Sequence, residues 1–213
     1  TEHHKYTLHS PDDMEVVFPQ TFDLKNFWKW SIINYRYPYD LFKGKFKSFI
    51  GHMPEDPWSR SLFPESDPAR RRAYTRWERI LLIGHLVIAG LSLAFGYWIV
   101  PLVITFPKMS GAWLQWLCNQ AQHAGLQDRV TDFRLCCRTI YLNPILEFLY
   151  WYMNYHTEHH MYAAVPCYNL GQLHRLIKHE MPHCPKGLRE TWAQIVEIQE
   201  RQEHDPDYQY VAK

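Results

Sequence analysis

The sequence predicts an all-α protein: a membrane helical hairpin, interfacial helices beside it, and a cytosolic helical cap that carries clustered histidines. Three observations lead there. Ile80 to Pro107 contains no Asp, Glu, Lys or Arg. Five arginines, Arg70, Arg71, Arg72, Arg76 and Arg79, stand just ahead of that stretch. The string Thr-Glu-His-His occurs at Thr1–His4 and again at Thr157–His160, one copy on each side of the apolar region.

The 213 residues suffice for one domain, 1–213, with a sizeable core. The chain opens inside a histidine string without an initiator Met, as a fragment or processed chain would. Its formal charge of +1 offers nucleic acid no electrostatic footing. Aromatic residues make up 16%, including 9 Trp and 14 Tyr, side chains suited to the membrane–water boundary. A mean hydropathy of −0.41 then requires the apolar part to be concentrated and much of the chain to lie outside the bilayer. Cys118, Cys136, Cys137, Cys167 and Cys184 form no CxxC pair, which argues against a thiolate zinc site or disulfide framework and for reduced thiols facing the cytosol. Nothing resembles a signal peptide.

Along the chain, residues 10–20 form a polar turn leading into an extended piece. Residues 21–50 mix Trp28, Trp30, Phe42, Phe46 and Phe49 with lysines, as in an amphipathic stretch on a membrane surface or an ordinary surface helix. From His52 to Pro68, prolines among acids and serines spell a loop. The uncharged run from Ile80 would reach about 42 Å as continuous helix, against about 30 Å of hydrocarbon. Its leading arginines put that end on the cytoplasmic side. Met109 to Gln127 is again uncharged, so residues 80–120 are expected to make two passes, roughly 80–98 and 100–120, with Pro101 and Pro107 kinking or ending helix. Lys108, inside the second arm, must snorkel or face a polar cavity unless that arm is re-entrant. Residues 128–140 have a charged, cytosolic character. Residues 141–155 are too short to span and form an interfacial or core helix. Residues 186–203 form an amphipathic helix.

The chemistry lies in the histidines. In His156-Thr157-Glu158-His159-His160 the imidazoles fall at i, i+3 and i+4, on one helical face, where three neutral rings suit a cation such as iron or zinc. A surface histidine patch is the plain alternative, but repetition of the pattern at His3 and His4 weighs against coincidence. Between the two, Asn119 and His123 lie four apart and face the same way, where the second apolar arm returns to the cytosolic surface.

The cluster His156–His160 followed by MYAAVPCYNLGQLH resembles the third histidine box and tail of the membrane fatty acid desaturase and hydroxylase family. His3 and His4 resemble the end of its second box, and Asn119 with His123 the element that family places between them. The resemblance covers nearly the whole chain. It implies two non-haem irons on the cytoplasmic face of an integral membrane protein, with His3, His4, His123, His156, His159 and His160 as ligands and Asn119 holding a site water. It implies an O2-dependent oxidoreductase acting on a lipid acyl chain among membrane lipids, most simply by introducing a double bond. Electrons come from ferredoxin or cytochrome b5, since no flavin, haem or iron–sulfur signature occurs in the chain. The first box (HxxxH or similar) and the leading histidine of the second are absent, so the 213-residue chain alone is expected to bind metal poorly and be inactive.

Glu2 and Glu158, beside ligands, are expected either to orient rings or to lie in solvent. His9 and His174 are candidates for the same supporting work, and His85 faces a helix partner or a cavity. His179-Glu180-Met181-Pro182-His183 matches HExxH, but Pro182 breaks the helix that a zinc protease needs. Two further functions stay open: hydroxylation or ketolation within the same superfamily, and a non-catalytic zinc-binding membrane protein. A metal pair shared by both strings requires the region between them to cross the membrane an even number of times.

Overall fold

The computed structural model describes residues 2–9, 12, 13, 15, 22, 36–107 and 112–212. Among them the chain is helical, without strands; the only sheet-like pairings are isolated bridges, Thr139 to Tyr155 and Tyr141 to Lys186. It divides into two compact units: 1–22 with 114–213, and 23–113.

The second unit is built on one long helix. Helix α2 (Tyr37–Phe49) starts at a proline in its first turn, and α3 (Pro57–Leu62) follows. Residues 52–68 are therefore not all loop. Asp56 accepts the Ser59 N–H at 2.9 Å and Pro57 occupies the first turn, a strong start signal hidden among the prolines. Helix α4 (Pro68–Ala94) is uninterrupted and begins well before Ile80, because Asp67 caps Arg70 N–H and Pro68 opens the first turn. The arginines thus form its leading turns. Among the described residues this one helix is long and apolar enough to cross a membrane, and its apolar surface is bare: Leu86 is 52% and Leu91 56% exposed. Such a surface suits lipid better than water. Polar groups near its start are paired: Lys45 donates to both Glu78 oxygens at 2.8 Å.

After α4 comes the short helix α5 (Ile99–Ile104), which packs against it. Thr105 lies at its C-terminal end, and residues 108–111, including Lys108, lie outside the described residues. Helix α6 (Ala112–Ala121) follows. Among the described residues, the expected second arm contains α5 and most of α6, with the stretch between them partly outside the described set. Residues 23–35, most of the N-terminal amphipathic stretch, also lie outside the described residues.

In the first unit, α1 (Glu2–Tyr6), α6, α7 (Phe133–Cys136), α8 (Pro144–Leu149), α9 (His156–Met161), α10 (Leu170–Ile177) and α11 (Gly187–His204) surround two small cores. One gathers Leu8, Cys136 and Cys137; the other Ala121, Ala124, Ile140 and Ile195. Trp116 and Trp192 stack at 5.5 Å beside the latter. Gly125 (φ +74) permits close packing, since a Cβ there would meet Ile198 Cγ2 at 2.8 Å. Within residues 128–140, the first eight are exposed or partly exposed and the last five are buried. Arg138 is buried, donating to the carbonyls of Ala121 and Ala124 just past the end of α6, and burial pulls its pKa down to about 10. The five cysteines are free thiols, as expected.

Candidate metal centre

Three elements supply the four histidines. His3 lies in α1, His123 in the turn after α6, and His156 and His160 one turn apart on α9. One ring nitrogen from each of these four buried residues lies within 4.8 Å of all the others.

Hydrogen bonds to the other ring nitrogens fix which atoms face inward. His3 donates through Nδ1 to the Asp13 carboxylate at 2.9 Å. His123 donates through Nδ1 to the Cys136 carbonyl at 2.8 Å. The Thr7 hydroxyl gives its proton to the His3 carbonyl at 2.7 Å, so it accepts from His160 Nδ1 at 3.1 Å. With Nδ1 engaged in each, these three rings turn Nε2 toward one point. His156 Nε2 is 2.9 Å from His123 Nε2 and 3.0 Å from His160 Nε2. One proton cannot serve both contacts, and His156 Nδ1 is buried without a partner. Converging lone pairs at such spacing are repulsive unless a cation lies among them. Metal–nitrogen bonds of about 2.0–2.1 Å at right angles would put neighbouring nitrogens about 3 Å apart, so this donor set fits a metal.

Burial favours the neutral form that ligands need in His4, His123, His156 and His160. It takes His123 down to about 3 and His4 to about 4, and holds His156 and His160 well below the ordinary histidine value, with neighbouring histidines adding to the shift in all four. His4 and His159 lie alongside. Their ring centroids are 4.7 Å apart, His4 stacks on His160 at 4.4 Å, and the Nδ1 atoms of both are buried without partners. All six predicted histidines thus gather in one region. Asn119 Oδ1 accepts from Tyr150 O–H at 2.6 Å, and Tyr150 also takes Gln122 Nε2 at 2.8 Å.

The supporting acids differ from expectation. Glu158 neither reaches solvent nor orients a metal-facing ring. It is fully buried, accepts from Thr139 O–H at 2.5 Å, and pairs with His174 Nδ1, whose Nε2 meets Tyr141 O–H at 2.9 Å. The side chain of Glu2 is outside the described set. His9 closes the end of α1 on the Thr7 carbonyl at 2.9 Å, and His85 meets Thr105 Oγ1 at 3.3 Å beside a cavity of about 270 Å³. Asp13 and Thr7 do orient metal-facing rings; in the sequence Asp13 was one member of a polar turn and Thr7 carried no signal. His179 and His183 are not on one helix: α10 ends at Ile177, a 3₁₀ turn covers Lys178–Glu180, and Met181 is extended. His183 pairs with Glu190 at 2.9 Å.

No curated protein and no solved structure matches the chain. The fatty acid desaturase family model matches residues 1–192. That match runs from the first histidine string through the last and over the helices between them, and the chain belongs to the fatty acid desaturase family.

Proposed function

We propose that this chain is the metal-binding part of an O2-dependent, non-haem di-iron oxidoreductase that introduces a double bond into a lipid acyl chain. The observation that carries the proposal is the convergence of buried ring nitrogens from His3, His123, His156 and His160 at a spacing that one shared proton cannot satisfy. These four would hold one cation, and His4 and His159 would serve the second. Asn119, with its carbonyl engaged by Tyr150, keeps its amide N–H groups for a site water. When bound, iron with O2 and electrons from ferredoxin or cytochrome b5 supplies the oxidising power to take hydrogen from an unactivated methylene. The chain's own residues hold the rings: Asp13, Thr7 and the Cys136 carbonyl keep each Nδ1 protonated and each Nε2 free. Membership of the family makes the substrate a lipid, and the bare α4 helix suits a membrane site with the histidines on the cytoplasmic face.

The test has two measurements. Elemental analysis after anaerobic Fe(II) loading should show less iron in the His123→Ala/His156→Ala variant than in the unaltered chain. Gas chromatography of acyl chains from cells expressing the protein should show a new double bond. A hydroxylated or keto product would move the reaction elsewhere in the superfamily. Tightly held zinc with no O2 uptake would replace the enzyme with a zinc-binding membrane protein.

A further inference from the structure

Arginines occupy one face of α4 where the second unit would be expected to place apolar or mixed residues. Pro68, Arg71, Arg72, Thr75, Arg76 and Arg79 follow the i, i+3, i+4, i+7 pattern of a single helical stripe. That stripe forms one wall of an open cavity of about 700 Å³, whose other wall is Gly51, Met53 and Glu65. Gly51 (φ +97) turns the chain after α2 so that this wall can form. Of the four arginines, two are partly engaged. Arg79 donates through Nε to the Phe49 carbonyl at 2.8 Å, and Arg71 reaches the largely exposed Glu65 at 3.9 Å. Arg72 and Arg76 have no ion pair or hydrogen bond among the described residues. Glu65 is the cavity's single acid.

Four guanidinium groups around one cavity repel one another, and one peripheral carboxylate does not balance them. An anion does, and guanidinium forks match the oxygens of a phosphate better than any other common anion save a carboxylate. We infer that this cavity binds the phosphate of an anionic membrane lipid. The lipid source follows from α4 itself: the same helix continues without a break into the bare apolar stretch, so its first turns fall where headgroups lie. The inference rests on α4 entering a membrane and not on any metal or turnover.

The experiment uses the detergent-solubilised full chain, with lipid binding followed by native mass spectrometry. The probes are phosphatidylglycerol, phosphatidylcholine and inorganic phosphate. Phosphatidylglycerol should bind clearly more tightly than phosphatidylcholine. The double variant Arg72→Gln/Arg76→Gln should lose about thirtyfold in affinity for it, from two headgroup attractions removed. Both side chains are exposed, so folding should survive. The control Arg175→Gln/Arg189→Gln removes equal charge from the other unit and should change nothing. Equal binding of the two lipids, an unchanged double variant, or an equal loss in the control would each overturn the site. Inorganic phosphate displacing phosphatidylglycerol at similar concentration would overturn the lipid assignment in favour of a soluble phosphate ligand. Because no readout involves iron or acyl products, failure here leaves the proposed reaction standing, and the converse also holds.

Discussion

Asp13 accepts from His3 Nδ1 at 2.9 Å and from the Leu8 amide at 2.8 Å through one oxygen, and from the Glu15 amide at 3.0 Å through the other. Its charge strengthens the His3 N–H bond and makes the inward nitrogen a better donor to a cation. Asp13→Asn should therefore weaken cobalt or iron binding about 10- to 100-fold, measured by competition with a chelator, with helix content unchanged. Wild-type affinity in the variant would remove Asp13 from the centre. The buried rings also set a pH dependence for the metal-free chain. His123 and His4 have folded pKa values of about 3 and about 4, below the ordinary 6.5, because burial disfavours the charged ring. The unfolded chain then binds more protons at acid pH. Their contribution is fully present above about 6.5 and declines as pH falls toward 3. Thermal melts of the metal-free chain should show the midpoint dropping steadily from pH 7 to pH 5; a flat profile would mean the rings are not buried in solution.

At the scale of elements, α9 is the instructive case. A six-residue helix is unstable by itself, and Tyr155 gives it no side-chain cap. Glu158 lies about 200° around the helix from His156 and His160, so it grips the face opposite the metal-facing rings. His174 reaches it from α10, where it is buried on the same face as Leu170. His174→Ala removes one of the two side-chain partners of the buried Glu158 carboxylate, leaving the Thr139 hydroxyl, and should cost about 3 kcal/mol in urea unfolding. A loss below about 1 kcal/mol would reduce the pair to a packing contact. Element ends were harder to foresee than element types. Helix α11 lies within one residue of its expected 186–203 span, because its amphipathic pattern is long and regular. Residues 141–155 instead give only α8, capped by Asn143 and opened by Pro144. It ends with Trp151 N–H on the Phe148 carbonyl and Tyr152 N–H on the Glu147 carbonyl, around a left-handed Trp151 (φ 55). Glycine normally announces such an end. None is present, so the sequence carried no signal.

For the whole molecule, the joining of His3 to His160 across the length of the chain has a topological consequence. Both ends of the intervening segment must lie on one side of any membrane it enters. In a background whose native cysteines are replaced, single cysteines at Asp12 and Tyr168, both exposed, should react with an impermeant thiol reagent from the same side. Reaction from opposite sides would dissolve the shared centre. The family, the helical class, the apolar span and the six histidines were legible in the chain itself, since composition and i, i+3, i+4 spacing are local properties that survive without a fold. Which of those histidines close on one point, which way each ring turns, and that Asp13 and Thr7 hold two of them while Glu158 ties α9 to His174 were decided by the tertiary contacts. Such contacts depend on packing and on the pairing of buried polar groups, and no local pattern encodes them.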